Sequence, residues 1–348
     1  MTVVVFGGSG TFGSLVARAL AAAGLQVRIA GRDGERARAF AATLGPRHEG
    51  VSVDVNDPAS AARALDGARV AVNCSGPFAA LTLALPETCL AAGAHYVDIA
   101  DDRGWFARIR HLDGCFRERS LALACGCSSL PGISGALALL AARRLPTVDR
   151  ARVTLFIGNR NPKGSAAVRA AASQLGRPFP APQGRLTGFR GRESVDLPLP
   201  FGRRAVYDWE SPELDLFPTL LGARDVRVKV GFEARAATAG FAALARLGPR
   251  LGSRLALALV PAGRRLSGFG HSGGVVQVDT FGPDGTRATA SLGGPEEGQR
   301  MAALPAVFVA QGLADGSVTA RGFVTAYEAL GAQELVDRLA GAGYELAW

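Results

Sequence analysis

The sequence predicts an α/β fold: a doubly wound parallel sheet, then a second α+β domain built on a mostly antiparallel sheet. Three observations predict it. From Met1 to about Leu130, short apolar runs alternate with helical ones, as in parallel strands joined by crossover helices. A glycine-rich turn lies between the first strand and the first helix. Beyond Arg144 the apolar runs alternate with polar residues, and Pro283-Asp284-Gly285 separates two of them, which is a hairpin signal.

Val3 to Phe6 reads as a buried strand. Gly8, Gly10 and Gly13 follow in G-x-G-x-x-G spacing, and a helical run with Leu15, Val16, Ala19 and Leu20 on one side ends at Gly24. In this context the first glycine allows a tight turn, the second lets a pyrophosphate approach the backbone, and the third lets helix and strand pack closely. The helix N-terminus offers N–H groups to the anion. Gly8, Ser9, Gly10, Thr11, Phe12 and Gly13 are therefore the expected pyrophosphate cradle of a Rossmann-type dinucleotide site. Val27 to Ala30 is the second strand, ending in Gly31-Arg32-Asp33. A carboxylate there would suit the ribose 2′-OH of NAD, and an arginine suits a 2′-phosphate. Arg32 comes first, so NADP is read ahead of NAD; Asp33 keeps NAD open or caps the next helix, Gly34–Leu44.

Strands follow at Val51–Val55, Val70–Cys74, Tyr96–Ala100 and Leu121–Cys125, with helices at Pro58–Leu65, Leu81–Ala92 and Trp105–Glu118. Ligands of open parallel sheets bind beyond the C-terminal strand ends. Asp54, Val55, Ser75, Gly76, Pro77, Phe78 and Ser128 therefore join the cofactor set. Ser75–Phe78 is placed at the nicotinamide and its ribose, with Phe78 against the ring. Asp101 and Asp102 stand at the fifth strand's tip, as a proton donor, a ligand for a cation or ammonium, or a helix cap.

In the second half, Arg152–Ile157, Val226–Phe232, Val275–Phe281 and Thr286–Leu292 read as strands, and Gly176–Pro200 as a long Gly- and Pro-rich loop. Ala234–Ala262 is helical and broken at Gly248-Pro249. Ala302–Leu313 and Thr325–Gly343 are helical, the latter returning to the first domain. The expected domains are 1–130 with about 321–348, binding the dinucleotide, and 131–320, for substrate and dimerisation. Arg160, after a strand, could clamp a carboxylate or phosphate. His271, in a glycine-rich loop, could serve as general acid. His48 and His111 read as surface residues. Phe201, Tyr207, Trp209 and Phe217 read as core or as pocket lining.

Composition narrows the class. Thirty-nine basic residues against thirty acidic ones give a net charge of +9. The arginines are scattered rather than gathered in a stripe with interleaved aromatics, so no nucleic acid is expected. No apolar run reaches the roughly eighteen residues of a membrane span. The Arg-rich helices of 234–262 leave a lipophilic substrate or a membrane-surface contact open. The five cysteines lack a C-x-x-C pair, and no His stands beside Asp101 or Asp102, so no metal is expected. Reduced thiols suit a cytoplasmic protein. The antiparallel second domain suits a homodimer.

Four stretches carry a resemblance. Val72-Asn73-Cys74-Ser75-Gly76-Pro77-Phe78, Ala92-Gly93-Ala94-His95-Tyr96-Val97-Asp98 and Ser128-Ser129-Leu130-Pro131-Gly132 are similar to segments of the saccharopine dehydrogenase-like oxidoreductases. Gly158–Gly164 resembles a GNR-x-P-x-G segment of a bacterial branch of that group. Saccharopine-forming enzymes carry a DPG-x-DH-type motif where this chain has Ser128–Gly135. The resemblance thus implies a branch of unassigned substrate rather than true saccharopine dehydrogenase. It implies an NADPH-dependent oxidoreductase reducing a C=N, C=O or activated C=C bond of a small molecule, imine reduction being favoured. The alternative is an NADP-binding sensor or scaffold without turnover.

Overall fold

The computed structural model describes residues 1–162, 165–265 and 268–348. Its strands are β1 (Thr2–Phe6), β2 (Gln26–Gly31), β3 (Glu49–Ser52), β4 (Ala68–Asn73), β5 (His95–Asp98), β6 (Ala122–Ala124), β7 (Arg150–Ile157), β8 (Pro178–Ala181), β9 (Gly184–Thr187), β10 (Glu193–Leu197), β11 (Gly202–Asp208), β12 (Asp225–Phe232), β13 (Gly274–Phe281), β14 (Arg287–Gly294), β15 (Gly322–Val324) and β16 (Glu345–Ala347). The chain forms two compact units, Met1–Gly132 with Ala302–Gly331, and Ile133–Met301 with Ala332–Trp348.

The first unit holds a parallel sheet in the order β15-β6-β5-β4-β1-β2-β3. Val3, Val4, Val5 and Phe6 are fully buried, as a central strand covered by helices on both faces requires. β1 pairs with β2 on one side and β4 on the other. The strand order therefore reverses at β1/β4, where the crevice of an open α/β sheet lies. β3 ends before Val53, so Asp54 and Val55 sit in the turn beyond it. The seventh strand, β15, was not expected: three residues are too short for a periodic signal. The helix expected over Trp105–Glu118 is broken by a 3₁₀ turn at Arg110–Leu112. Asp113 opens the second piece and accepts the N–H of Phe323 in β15 (2.7 Å).

The second unit holds the order β10-β11-β12-β7-β13-β14-β16. Only β7/β12 is parallel; the other pairs are antiparallel. Gly176–Pro200 is not a plain loop. Phe179, Val195 and Leu197 are buried; β8 and β9 form a hairpin, and β10 pairs with β11. The C-terminal tail also departs from expectation. Gly331 (φ +88°) ends the helix Ala326–Leu330, and Ala332–Trp348 belongs to the second unit. There the helix Ala332–Gly341 packs on the helix Ser134–Ala142, and β16 pairs with β14.

Candidate functional site

Gly7, not Gly8, carries the positive φ (+71°) of the glycine turn. Its N–H and that of Gly8 both donate to the Ala30 carbonyl in β2. A Cβ on Gly7 would meet the backbone of Cys74 and Ser75 at 3.0 Å, so the loop after β1 lies directly against the loop after β4. A Cβ on Gly13 would stand 2.2 Å from the Gly7 carbonyl oxygen, which makes this glycine obligatory for packing. A Cβ on Gly10 would meet only that oxygen, at 3.0 Å; the rest of its surroundings is open. Gly10 is also the N-cap of the helix Thr11–Ala22 and supplies no side-chain cap. An open cradle at a bare helix start fits a dinucleotide pyrophosphate.

At the end of β2, Arg32 is exposed and its carbonyl accepts from Ser52 Oγ (3.2 Å). Asp33 caps the helix Gly34–Ala42, accepting the Arg36 N–H at 3.0 Å. The carboxylate is thereby committed to the helix, and the guanidinium remains at the strand tip. Arg36 reaches back to donate to the Ser9 carbonyl (2.8 Å). This donor set fits a 2′-phosphate.

The third wall is the β4 turn. Asn73, fully buried, donates from Nδ2 to the Tyr96 hydroxyl (3.0 Å) and accepts the Ser75 N–H on Oδ1 (3.0 Å). It holds Ser75-Gly76-Pro77 in place, a role the sequence reading missed. Phe78 is buried, its ring centroid 5.6 Å from that of Trp105. Little of the ring is left at the surface. Asp54 accepts the Asn56 N–H (3.0 Å), and Asn56 Oδ1 takes both the N–H and the hydroxyl of Thr82, so the β3 and β4 loops are tied together. Ser128 lies beyond β6, its N–H on the Gly126 carbonyl (2.8 Å).

At the β5 tip the two aspartates part company. Asp102 caps the helix Arg103–Ile109 by accepting the Trp105 N–H (2.7 Å). Asp101 is solvent-exposed. The protein packed around its carboxyl, and then the Asp102 charge, push it up to about 6. Asp98 is a structural carboxylate. Burial pushes its pKa up, while the N–H groups of Ala100 and Gly126 and the Trp105 indole donate to it.

Arg160 and His271 lie in the second unit, and the structure brings them together. The Arg160 N–H donates to the His271 carbonyl (2.9 Å), and Gly158 pairs with Gly273. The Arg160 side chain is exposed. Glu233, which no sequence pattern singled out, organises the pair. It accepts the N–H groups of Asn159 (2.9 Å) and His271 (2.7 Å), and its Oε1 lies 2.6 Å from His271 Nδ1. Partial burial pushes the Glu233 carboxyl up, but these donors bring it below its ordinary value. The His271 ring stands edge-on to Phe201 (5.4 Å). Lys163 and Gly164, from the GNR-x-P-x-G stretch, lie outside the described residues. Asp101 belongs to the first unit.

Of the remaining histidines, His48 is buried rather than on the surface and its Nδ1 accepts the Val27 N–H. His95 accepts the Ala122 N–H, and burial, then Arg69 and Arg321, lower it to about 4. Phe201, Tyr207, Trp209 and Phe217 are buried. All five cysteines are free thiols; burial pushes Cys74, Cys89, Cys125 and Cys127 up, away from nucleophilic thiolate character. Among the described residues no His, Cys, Asp and Glu group could hold a metal ion.

A parallel sheet with a glycine cradle at its switch point and an arginine at the second strand's tip defines a dinucleotide-binding α/β protein of NADP type. Residues 3–114 match the saccharopine dehydrogenase NADP binding domain family. The chain is similar over 99% of its length, and 99% of theirs, to the solved apo saccharopine dehydrogenase (L-Glu forming) of Saccharomyces cerevisiae, with a TM-score of 0.72 at 14% identity; that likeness is one of fold. The family match thus rests on the N-terminal, dinucleotide-binding part of the chain. Among curated relatives it is 30% identical over 138 residues to the trans-acting enoyl reductase of Mycobacterium tuberculosis strain H37Rv, and 28% identical over 138 residues to that of Mycobacterium leprae. Each match covers 37% of this chain and 33% of the relative, so the chain spans about a third of the length of the relatives it matches.

Proposed function

We propose that this chain is an NADPH-dependent reductase of a polarised double bond in a small organic substrate. The observation that carries the reading is the tip of the first sheet, where Gly10 leaves open space at the helix start, Arg32 is exposed and Asp33 is committed to a helix cap. Gly8–Gly13 would hold the pyrophosphate, Arg32 the 2′-phosphate, Asp54 and Val55 the adenosine end, and Ser75–Phe78 with Ser128 the nicotinamide end through backbone groups. The bound cofactor supplies the hydride. The protein's share is orientation and a proton. His271 is the preferred donor: with Nδ1–H on Glu233, Nε2 is the nitrogen that exchanges a proton, and the carboxylate steadies the ring as it does so. Arg160 beside it suits an anionic substrate group. Asp101 is the second candidate donor.

The family resemblance favours an imine as acceptor. The trans-acting enoyl reductase relatives move a conjugated C=C bond ahead of it. A panel assay with NADPH separates the readings. Turnover of an α,β-unsaturated carbonyl compound alone supports C=C reduction. A requirement for amine and carbonyl partners together restores the imine. Tight NADPH binding with no oxidation across the panel leaves the sensor or scaffold reading. His271→Asn should lower kcat about 100-fold with NADPH affinity unchanged; an unchanged kcat removes His271 from the chemistry.

A further inference from the structure

The helices Arg235–Ala245 and Pro249–Arg265 of the second unit carry no task in the reaction above. Their surface is unusual in charge. From residue 234 to residue 278 the sequence contains no Asp or Glu and six arginines: Arg235, Arg246, Arg250, Arg254, Arg264 and Arg265. Arg246, Arg250 and Arg254 are exposed, and among the described residues none of the three has a carboxylate partner.

The second helix also exposes apolar surface in an ordered way. Leu251, Leu255 and Leu259, at i, i+4 and i+8, are 51%, 39% and 57% exposed. They form one stripe along the helix, while Leu257, 40% exposed, lies outside it on the arginine side. The helix is anchored by other residues: Gly252 and Ala256 are buried, and Ser253 Oγ donates to the Ala172 carbonyl (2.6 Å). Arg250 and Arg254 form a second stripe beside the leucines. Leu247 (51%), just before the helix, adds another exposed apolar side chain.

We propose that the Pro249–Arg265 helix seats the protein on the surface of an anionic lipid bilayer. The leucine stripe would enter the acyl boundary while the arginine stems run upward and place their guanidinium groups at the phosphates. The charge pattern selects this occupant. A second copy meeting the same face would bring arginine against arginine with no carboxylate between them. Among the described residues no helix is long and apolar enough to cross a membrane, and the polar stripe makes this one lie in the interface instead. The seat needs no reductase activity, so it stands apart from the proposed reaction.

Vesicle co-sedimentation of the whole chain tests it. The expected result is binding to vesicles containing phosphatidylglycerol, weaker binding to pure phosphatidylcholine, and loss with rising salt. Arg250→Ala with Arg254→Ala should weaken binding about 30-fold, each arginine near an anionic surface contributing about fivefold. Leu251→Gln with Leu255→Gln should weaken it about tenfold or more. Thermal unfolding and NADPH binding, measured on each variant, report that both units remain folded. Equal binding to both vesicle types, or binding that neither variant pair weakens, overturns the proposal. So does indifference to phosphatidylglycerol, in which case an acidic protein surface is the better occupant.

Discussion

The two sheets solve the problem of buried charge in opposite ways. In the first unit the central strand β1 is apolar, the one cross-strand ion pair among the described residues, Arg28 of β2 with Glu49 of β3, is left partly exposed, and the one fully buried carboxylate, Asp98, lies at a strand end. Backbone N–H groups and an indole satisfy it. In the second unit the charge lies within the sheet itself. Lys229 in β12 is fully buried; its Nζ donates to the Gly191 carbonyl (2.6 Å) and lies 2.6 Å from Asp208 Oδ1 and 3.1 Å from Glu193 Oε1. The Asp208 contact is ionic rather than a well-aligned hydrogen bond. Two strands away Asp279, 1% exposed, takes Arg287 and Thr289. Hydrogen bonds from neutral donors keep the first sheet's polar chemistry at its tips, where a ligand can use it. Ion pairs across strands spend the second sheet's charges on each other.

That contrast predicts its own largest effect. Lys229→Met would leave the buried Asp208 without its cation, while the partly exposed Glu193 keeps Arg152 and Arg227, and removing one partner of a buried pair costs about 3–5 kcal/mol. Thermal unfolding should register the loss while NADPH affinity, measured on the fraction still folded, holds. A mild variant would mean that water reaches Lys229 and that the two sheets differ less than their burial indicates.

The glycine loop offers a comparison within the first unit. Gly13→Ala drives a Cβ to 2.2 Å from a backbone oxygen, and overpacking of this kind costs about 1–3 kcal/mol. Gly10→Ala meets the same oxygen at 3.0 Å, so the fold should survive while NADPH binding weakens about 10–100-fold, the range for lost hydrogen bonds to a charged group. Equal melting temperatures for the two variants would contradict the division of labour between packing and cradle.

This division also explains what the sequence could reveal. The glycine spacing, the Gly31-Arg32-Asp33 strand end and the Gly-Pro turn after β4 could be read because each is a signal carried by neighbouring residues. Asn73 and Tyr96, or Glu233 and His271, meet across 23 and 38 residues, and no local period marks such pairs. The Lys229 network failed to announce itself for the same reason: Val226–Phe232 alternates like a strand with a solvated face, yet the polar face is covered. Phe78 was ambiguous because a Gly-Pro-Phe turn at a strand tip points equally to ligand and to core, and its ring packs beside Trp105. Where local chemistry was ambiguous, as at Asp33 and Asp102, both candidate ligands proved to be caps.

A smaller effect is expected at the strand tip. Arg32→Ala should weaken NADPH about 10–100-fold through the loss of charged hydrogen bonds and leave NADH unchanged. Titration by fluorescence of the reduced ring checks it. An equal loss for both cofactors would show that Arg32 supports the fold of the loop rather than reading the 2′-phosphate. An unchanged NADPH affinity would shift that role to Arg36, the guanidinium already bonded to Ser9.

The smallest effect lies at Asp101, where a tip residue meets a cost that the second sheet avoids by pairing. Its carboxyl is raised from 3.8 to about 6, so the folded protein holds this proton more tightly than the unfolded chain does. The resulting stabilisation is complete below about 4 and is lost as pH rises through about 6. Above that, Asp101 is an exposed anion beside Asp102, and screening limits the penalty to about 0.5 kcal/mol or less. Asp101→Asn, which keeps the shape of the protonated acid, should therefore melt slightly higher than the native protein at neutral pH and equally at pH 4. If the variant melts lower at neutral pH, the carboxylate has a favourable partner at the tip, and Asp101 rather than His271 becomes the first group to test in the reaction.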